Sequence, residues 1–354
     1  MNLAVNVRAH LQGGHVIPAH PLALTPRRDM DERHQRALTR YYVAAGAGGM
    51  AVGVHTTGFP IHDPKIGLYR PVLELAAETA NASLAGTSRP FVRVAGLIGD
   101  TAQALREAQI ALALGYHCGL LSVGAWRDAT DEAMLAHCRR VAEAIPLFGF
   151  YLQPAVGGRR LDYRFWREFA EIANVVAIKV APFDRYATLD VVRALADAGR
   201  DDIALYTGND DAIVADLLTD IPVSSGGRAY TRHFVGGLLG QWAAWTHTAV
   251  QMLDEIKAWR ARGEASMPRE WLTRGAALTM ANAVIFDAAN SYTGCLPGIL
   301  EILRLQGLVR GTWTFDTHEQ LSPGQGDMLA RLSALYPGLT DDAFVAEHRD
   351  GWLS

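Results

Sequence analysis

Residues 174–180 read Asn-Val-Val-Ala-Ile-Lys-Val, an apolar run of buried-strand length carrying one primary amine, Lys179. A run this short is ambiguous between a strand and a buried helix, so its surroundings decide. Residues 162–173 before it and 187–199 after it have helix length and helical apolar spacing. The same alternation extends in both directions. Apolar runs at 16–24, 50–54, 91–97, 118–123, 147–152, 175–180, 202–206 and 221–225 are separated by helical stretches near 30–45, 71–85, 101–115, 130–144, 162–173, 187–199 and 209–218. Eight strand–helix units predict an α/β fold, a (β/α)8 TIM barrel. Asp100-Thr101 and Thr130-Asp131 supply helix N-caps, while Gly115 and Gly199 sit where helices should stop. Beyond the barrel, helices are expected at 232–259, 268–290 and 297–306, then a loop and two short helices in the last forty residues. The expected division is a barrel with a short N-terminal segment over 1–231, and the last barrel helix with a C-terminal helical extension over 232–354.

The chain has 354 residues, 49% hydrophobic and 20% charged, with eight Trp. That length and composition support a sizeable core and place the chain among globular proteins. A formal charge of −4 without a basic block argues against nucleic acid as a partner. Cys118, Cys138 and Cys295 are odd in number and widely spaced, which fits neither a disulfide framework nor a zinc site and points to reduced thiols in a cytoplasm. The start, Met1 to Arg8, has neither a basic nor an apolar leader region, and no stretch stays apolar for ~18 residues, so neither export nor a membrane is expected.

A free lysine has a pKa of about 10.4, but burial can lower it by roughly 3 to 5 units and make the amine a nucleophile toward carbonyls. A lysine at a strand end can also snorkel to solvent or pair with a carboxylate such as Asp184. In a barrel of this kind chemistry gathers at the C-terminal strand ends. There the second strand leads into His55-Thr56-Thr57-Gly58, whose hydroxyls and N–H groups suit a carboxylate, and the fifth ends in Tyr151, which can relay a proton.

The joint pattern resembles the dihydrodipicolinate synthase and N-acetylneuraminate lyase family of class I aldolases. It comprises Thr-Thr-Gly after strand two, Tyr-x-x-Pro after strand five and Val-x-Ile-Lys on strand six, with Lys179 28 residues beyond Tyr151. Ala23-Leu24-Thr25-Pro26, residues 94–101 (VAGLIGDT) and Thr207-Gly208-Asn209-Asp210 extend the likeness over roughly residues 15–310. The resemblance implies a Schiff base between Lys179 and the keto carbon of pyruvate or another 2-oxo acid, with Tyr151 transferring protons. It implies that Thr56 and Thr57 hold the carboxylate, the Thr57 hydroxyl also assisting the relay, and that Gly208 and Trp126 border the substrate. It further implies a homodimer or homotetramer, with no cofactor and no metal.

Three departures stand out. The family's GTTGE appears as residues 55–59 (HTTGF), Gly124-Ala125-Trp126 replaces Pro-Tyr-Tyr, and Val156 stands where the synthase arginine would grip a second carboxylate. Dihydrodipicolinate synthase activity itself is therefore not expected. Residues 224–228 (SSGGR) offer a replacement grip through Ser225 and Arg228 if 221–225 is the eighth barrel strand. The expected reaction is aldol cleavage or condensation between a 2-oxo acid and an aldehyde. The alternatives are dehydration of a 2-oxo-3-deoxy sugar acid, or a non-catalytic barrel that binds a 2-oxo acid. Residues 46–51 (GAGGMA) match a dinucleotide fingerprint but follow a helix and precede a strand, the reverse of what pyrophosphate binding needs, and read as a helix stop. His10, His15 and His20 recur at a spacing that shares neither a helix nor a strand face, a poor metal set. His20 and His55, near strand ends, read as structural.

Overall fold

The computed structural model describes residues 5–264 and 266–354. Part of the N-terminal stretch read for a leader, residues 1–4, lies outside them. Eight strands share one sheet: β1 (Val16–Pro18), β2 (Gly49–Val52), β3 (Val92–Leu97), β4 (Cys118–Leu121), β5 (Leu147–Tyr151), β6 (Val175–Val180), β7 (Ala204–Thr207) and β10 (Gly236–Leu239). Their order is β1-β10-β7-β6-β5-β4-β3-β2, and a parallel bridge between Ala19 and Ala51 joins the two ends, giving the (β/α)8 barrel. The chain clusters into two compact units, residues up to His15 with Val92–Leu238, and Val16–Phe91 with Leu239–Ser354.

In the first unit β3 to β7 and β10 run parallel, separated by α4 (Thr101–Ala113), α5 (Asp131–Ala142), α6 (Tyr163–Phe169), α7 (Arg185–Asp197) and α8 (Ile213–Leu218), with α1 (Val5–Gly13) ahead of them. Every residue of β6 is buried, as a parallel strand covered on both faces requires. Helix starts are set by side chains: Asp100, Thr130, Asp162 and Asp184 each accept a backbone N–H three residues on, worth about 1 kcal/mol apiece. Asp184, offered above as a partner for the lysine, thus serves as the N-cap of α7.

One strand is not where it was expected. Residues 221–225 do form a strand, β8 (Ile221–Ser225), but it pairs antiparallel with β9 (Arg228–Arg232) in a separate two-stranded ribbon. The eighth barrel strand is Gly236–Leu239, so the expected boundary at 231 falls ahead of it and the helix expected from 232 begins only at Thr246. Gly236 explains why that strand is poor in side chains: a Cβ there would lie 2.4 Å from the His15 carbonyl oxygen and 2.5 Å from its nitrogen.

In the second unit α2 (Glu32–Ala44) and α3 (Tyr69–Ser83) follow β1 and β2. The helical extension comprises α9 (Thr246–Ala261), α10 (Glu270–Ile285), α11 (Cys295–Leu305) and a tail of three helices rather than two, α12 (Gln325–Leu329), α13 (Leu332–Leu335) and α14 (Asp342–Trp352). Gly46, at φ 92°, lies just past α2 as a helix stop should. The tail is docked: buried Asp341 accepts from the Tyr41 hydroxyl at 2.7 Å, the His247 N–H at 3.0 Å and Gln306 Nε2 at 2.8 Å. No described helix is long and apolar enough to cross a membrane.

Candidate active site

Lys179 is 8% exposed on β6, in register with Phe150 of β5 and Tyr206 of β7. Its Nζ lies 4.7 Å from the centre of the Phe150 ring, so a neighbouring apolar face supports the amine. Phe150 was not among the expected site residues, although the parallel register could have pointed to it. Gly208, which follows β7, gives the side chain its room: a Cβ at 208 would stand 2.7 Å from Lys179 Cε, 3.0 Å from its Cγ and 2.7 Å from Ala181 Cβ.

Gly208 is itself held by a buried polar network. Its N–H bonds Val180 O at 2.7 Å, Thr207 Oγ1 donates to Asp216 Oδ2 at 2.6 Å, and Asn209 Nδ2 donates to Asp216 Oδ2 and to Thr188 Oγ1, both at 3.0 Å. Asp216 is fully buried, and Arg185 Nη1 lies 2.7 Å from its Oδ1 as an ionic contact. Asn209 Oδ1 also accepts the N–H of Phe183, which adopts φ 52° in the turn after β6. A charge so enclosed is costly to strip of its partners, so Thr207 and Asn209 hold the turn around Gly208 as one unit.

Tyr151 ends β5, paired with Val180, one residue past the Lys179 register. Its ring packs against Trp166 of α6 at 5.2 Å, and its hydroxyl oxygen accepts the Leu161 N–H at 3.1 Å. Burial raises its pKa, partly offset by that hydrogen bond, so the phenol holds its proton at neutral pH. Arg159 of the following loop donates to Ala129 O at 2.8 Å and pairs with Asp131, tying the β5–α6 loop to the start of α5. Trp126 lies in the β4–α5 loop, donates its indole N–H to Gly99 O at 3.1 Å and stacks on His137 at 4.7 Å. Burial lowers the His137 pKa to about 4, and its Nδ1 lies 2.9 Å from Thr101 Oγ1.

The threonine pair lies in the other unit, in a single turn of 3-10 helix, His55–Thr57, directly after β2. The Thr57 hydroxyl is fully used: it donates to His20 O at 2.7 Å and accepts the Gly53 N–H at 3.0 Å and the Val54 N–H at 3.2 Å. The Thr57 and Gly58 N–H groups turn back to Val54 O and His55 O, each at 2.9 Å. This geometry does not offer the expected N–H nest at 57 and 58, and it ties up the hydroxyl expected to assist the relay. Thr56 is 8% exposed, and its hydroxyl has no protein partner among the described residues. Both threonines border a narrow pocket also lined by Trp313, Thr314, Phe315 and Glu319 from the loop between α11 and α12. His20 is structural, as expected: its Nδ1 lies 2.8 Å from Pro21 O and its Nε2 2.8 Å from Thr39 Oγ1, and burial lowers its pKa to about 4.

Ser225 and Arg228 are placed differently from the expectation. They face each other across the tip of the β8–β9 ribbon, whose base is pinned where Arg232 bonds Asp201 Oδ1 at 2.6 Å and Ile203 O at 3.0 Å, at the N-terminal end of β7. Barrel chemistry sits at the opposite strand ends, so the argument for a grip at these residues loses its basis.

Comparison with known proteins agrees with this architecture. No protein-family model matches the chain. A 4-hydroxy-tetrahydrodipicolinate synthase from a Cyanothece strain is 28% identical over 232 residues, 64% of this chain and 73% of that protein. One from Acaryochloris marina is 30% identical over 142 residues, 40% of this chain and 46% of that protein. Among solved structures, the dihydrodipicolinate synthase of Acinetobacter baumannii, complexed with pyruvate, superposes with a TM-score of 0.72 at 17% identity, covering 94% of this chain and 99% of its own. The N-acetylneuraminate lyase of Mycoplasma synoviae gives 0.67 at 17% identity over 92% and 98%. The chain is similar in sequence to 4-hydroxy-tetrahydrodipicolinate synthases and shares the fold of the dihydrodipicolinate synthases and N-acetylneuraminate lyases of known structure. Its curated relatives match over about half to three quarters of their lengths.

Proposed function

We propose that this lyase forms an imine between Lys179 and the carbonyl carbon of pyruvate or another 2-oxo acid, and then breaks or makes the carbon–carbon bond to an aldehyde. The observation that carries the reading is the lodging of Lys179, a primary amine buried on a barrel strand against Phe150, with Gly208 clearing its path. The amine lone pair attacks the carbonyl carbon, and two proton transfers and loss of water give the iminium. That cation then accepts the electron pair released when the bond beta to it is cleaved. Tyr151, protonated at neutral pH, is assigned the proton given to the carbinolamine oxygen as it leaves as water, and the tyrosinate so formed takes the proton of the substrate's hydroxyl as the carbon–carbon bond breaks. Thr56, whose hydroxyl is free, is assigned the 2-oxo acid carboxylate, and Thr57 the positioning of the turn that carries it. The protein is placed in the cytoplasm, a reading supported by three buried free cysteines, and as a homodimer or homotetramer on the family resemblance.

Borohydride reduction in the presence of pyruvate tests the proposal by intact-mass spectrometry. One reduced adduct per chain is expected on the wild type and none on Lys179→Ala. Wild-type protein that gains no adduct with any 2-oxo acid overturns the Schiff-base assignment.

A further inference from the structure

The two turns that flank Lys179 meet at one side chain. After β6 the chain runs through Ala181 and Pro182 to Phe183, a bulky residue at φ 52°, a left-handed conformation that persists only where its surroundings enforce it. After β7 it runs through Gly208, whose N–H bonds Val180 O and whose lack of a side chain leaves room for Lys179 Cε. Asn209, 2% exposed, reaches both turns. Its Oδ1 accepts the Phe183 N–H at 3.0 Å, and its Nδ2 donates to Asp216 Oδ2 and to Thr188 Oγ1, both at 3.0 Å. The Ala181 N–H donates to Tyr151 O at 3.0 Å, so the segment just past the lysine is tied to β5 as well.

The partners fix what stands at position 209. A backbone N–H only donates and a carboxylate only accepts, while the Thr188 hydroxyl spends its proton on Asp184 O at 2.8 Å and so accepts from position 209. One acceptor and two donors are needed on one short side chain, and asparagine supplies that set. Aspartate keeps the acceptor but turns a second carboxylate on Asp216; leucine keeps the shape and loses both functions.

We propose that Asn209 is a positioning residue for Lys179: by clamping the turn after β6 to the turn after β7, it holds the amine where it attacks the carbonyl carbon. This role rests on the imine assigned to Lys179. The clamp is anchored on Asp216, whose Oδ2 takes Thr207 and Asn209 and whose Oδ1 lies 2.7 Å from Arg185 Nη1. The charged groups on the neighbouring elements are Asp184 and Arg185 at the start of α7, Asp210 and Asp211 in the turn after β7, Asp216 on α8 and Lys179 on β6. Carboxylates outnumber cations here, and burial together with the Asp216 charge already pushes the Asp211 pKa up. A carboxyl introduced at position 209 therefore holds its proton to a higher pH than an exposed one.

Cyanoborohydride trapping of pyruvate under single-turnover conditions, read by intact mass, is compared in wild type, Asn209→Asp and Asn209→Leu. At about pH 8 both variants should trap about 100-fold more slowly per folded molecule, the effect of about 1 Å at a reacting atom. As the pH falls to about 5.5 the new carboxyl takes up a proton and donates to Asp216 again, so Asn209→Asp should recover to within about tenfold of wild type while Asn209→Leu stays slow. A merely structural asparagine would shift the urea midpoint without moving the ratio of rates or its pH dependence. Thr188→Val removes one partner of the amide and keeps the rest; it should slow trapping about threefold to tenfold, and it decides the matter if neither variant at 209 folds. The sequence has three lysines, Lys65, Lys179 and Lys257, so in protein carrying carbon-13 at lysine Cε the Lys179 signal is identified by its loss in Lys179→Ala. Without any substrate, that signal should move in Asn209→Leu and in Thr188→Val while the other two stay. Wild-type trapping rates in the folded variants, or a Lys179 signal that does not move, overturn the positioning role. Absence of trapping with every 2-oxo acid on the wild type overturns the imine instead, and the lysine signal still decides the clamp.

Discussion

Gly208→Ala separates the role of Lys179 placement from the chemistry of the amine. The glycine is not in the left-handed region, so alanine meets no backbone penalty, and at an unstrained site such a change would stabilise by about 0.4–1 kcal/mol through the unfolded chain. Here the new methyl lands 2.7 Å from both Lys179 Cε and Ala181 Cβ. Carbon contacts settle near ~3.5–4.0 Å, so about 1 Å must be found on each side. Ala181 has no rotamer to yield, and Lys179 Cγ, 3.0 Å away, confines the lysine near its root. Overpacking of this kind costs about 1–3 kcal/mol, and a displacement of about 1 Å at a reacting atom costs about 100-fold in rate. Single-turnover borohydride trapping with pyruvate should therefore slow by about two orders of magnitude, while urea denaturation shows a loss of about 1–3 kcal/mol. A variant that traps pyruvate at the wild-type rate would falsify the claim that Gly208 places the amine.

The two threonines should part company. Thr57→Val leaves the Gly53 and Val54 N–H groups and His20 O without their partner and should cost on the order of 3 kcal/mol in urea unfolding. Thr56→Val should cost under about 1 kcal/mol but raise KM for the 2-oxo acid roughly tenfold or more; the opposite pattern would exchange their roles. His20 links stability to pH: its folded pKa of about 4 lies below its unfolded value of 6.5, so the folded state excludes the proton. Its contribution is present above about pH 6.5 and is lost as pH falls toward 4, amounting to roughly 2 kcal/mol between pH 7 and pH 4.5. Urea unfolding of His20→Asn over that range should show a dependence flatter by this amount, and a wild-type slope in the variant removes His20 from the account.

Strands β3 to β6 are legible in the sequence because a parallel strand buried on both faces must be continuously apolar, and Lys179 stands out for the same reason. The barrel's closing strand is hidden by that logic. Gly236–Leu239 opens with two glycines, and at the first of them the His15 backbone passes too closely for a side chain. Residues 221–225 carry more β-branched and apolar character but bury only alternate positions, the mark of a ribbon with one face covered. Gly226 and Gly227, both at positive φ between two alternating runs, are a two-residue hairpin signal that the sequence did contain. Thr56-Thr57-Gly58 was legible as a motif. The division of labour within it was not, because the Thr57 partners, Gly53, Val54 and His20, are fixed only once the turn forms.

Trp126 bears on which proton chemistry is left to this chain. Its indole N–H is donated to Gly99 O, and the ring it covers, His137, stays neutral at pH 7 because burial holds its pKa at about 4. Neither group delivers a proton at neutral pH, so the loop after β4 acts as a strut between α4 and α5 and not as a relay arm. Tyr151 differs in one respect. Its oxygen accepts from Leu161 N–H, which leaves its own O–H free to donate, and burial keeps that proton in place. A phenol so arranged gives up a proton only to a developing oxyanion or alkoxide, whose basicity exceeds its own, and needs the proton back before the next turnover. Within the proposed mechanism the substrate returns the proton in either direction: in cleavage from the hydroxyl on the carbon beyond the bond that breaks, in condensation from the methyl carbon of the pyruvate iminium as it becomes the enamine. One phenol can therefore serve both directions without a second relay residue from the loop after β4.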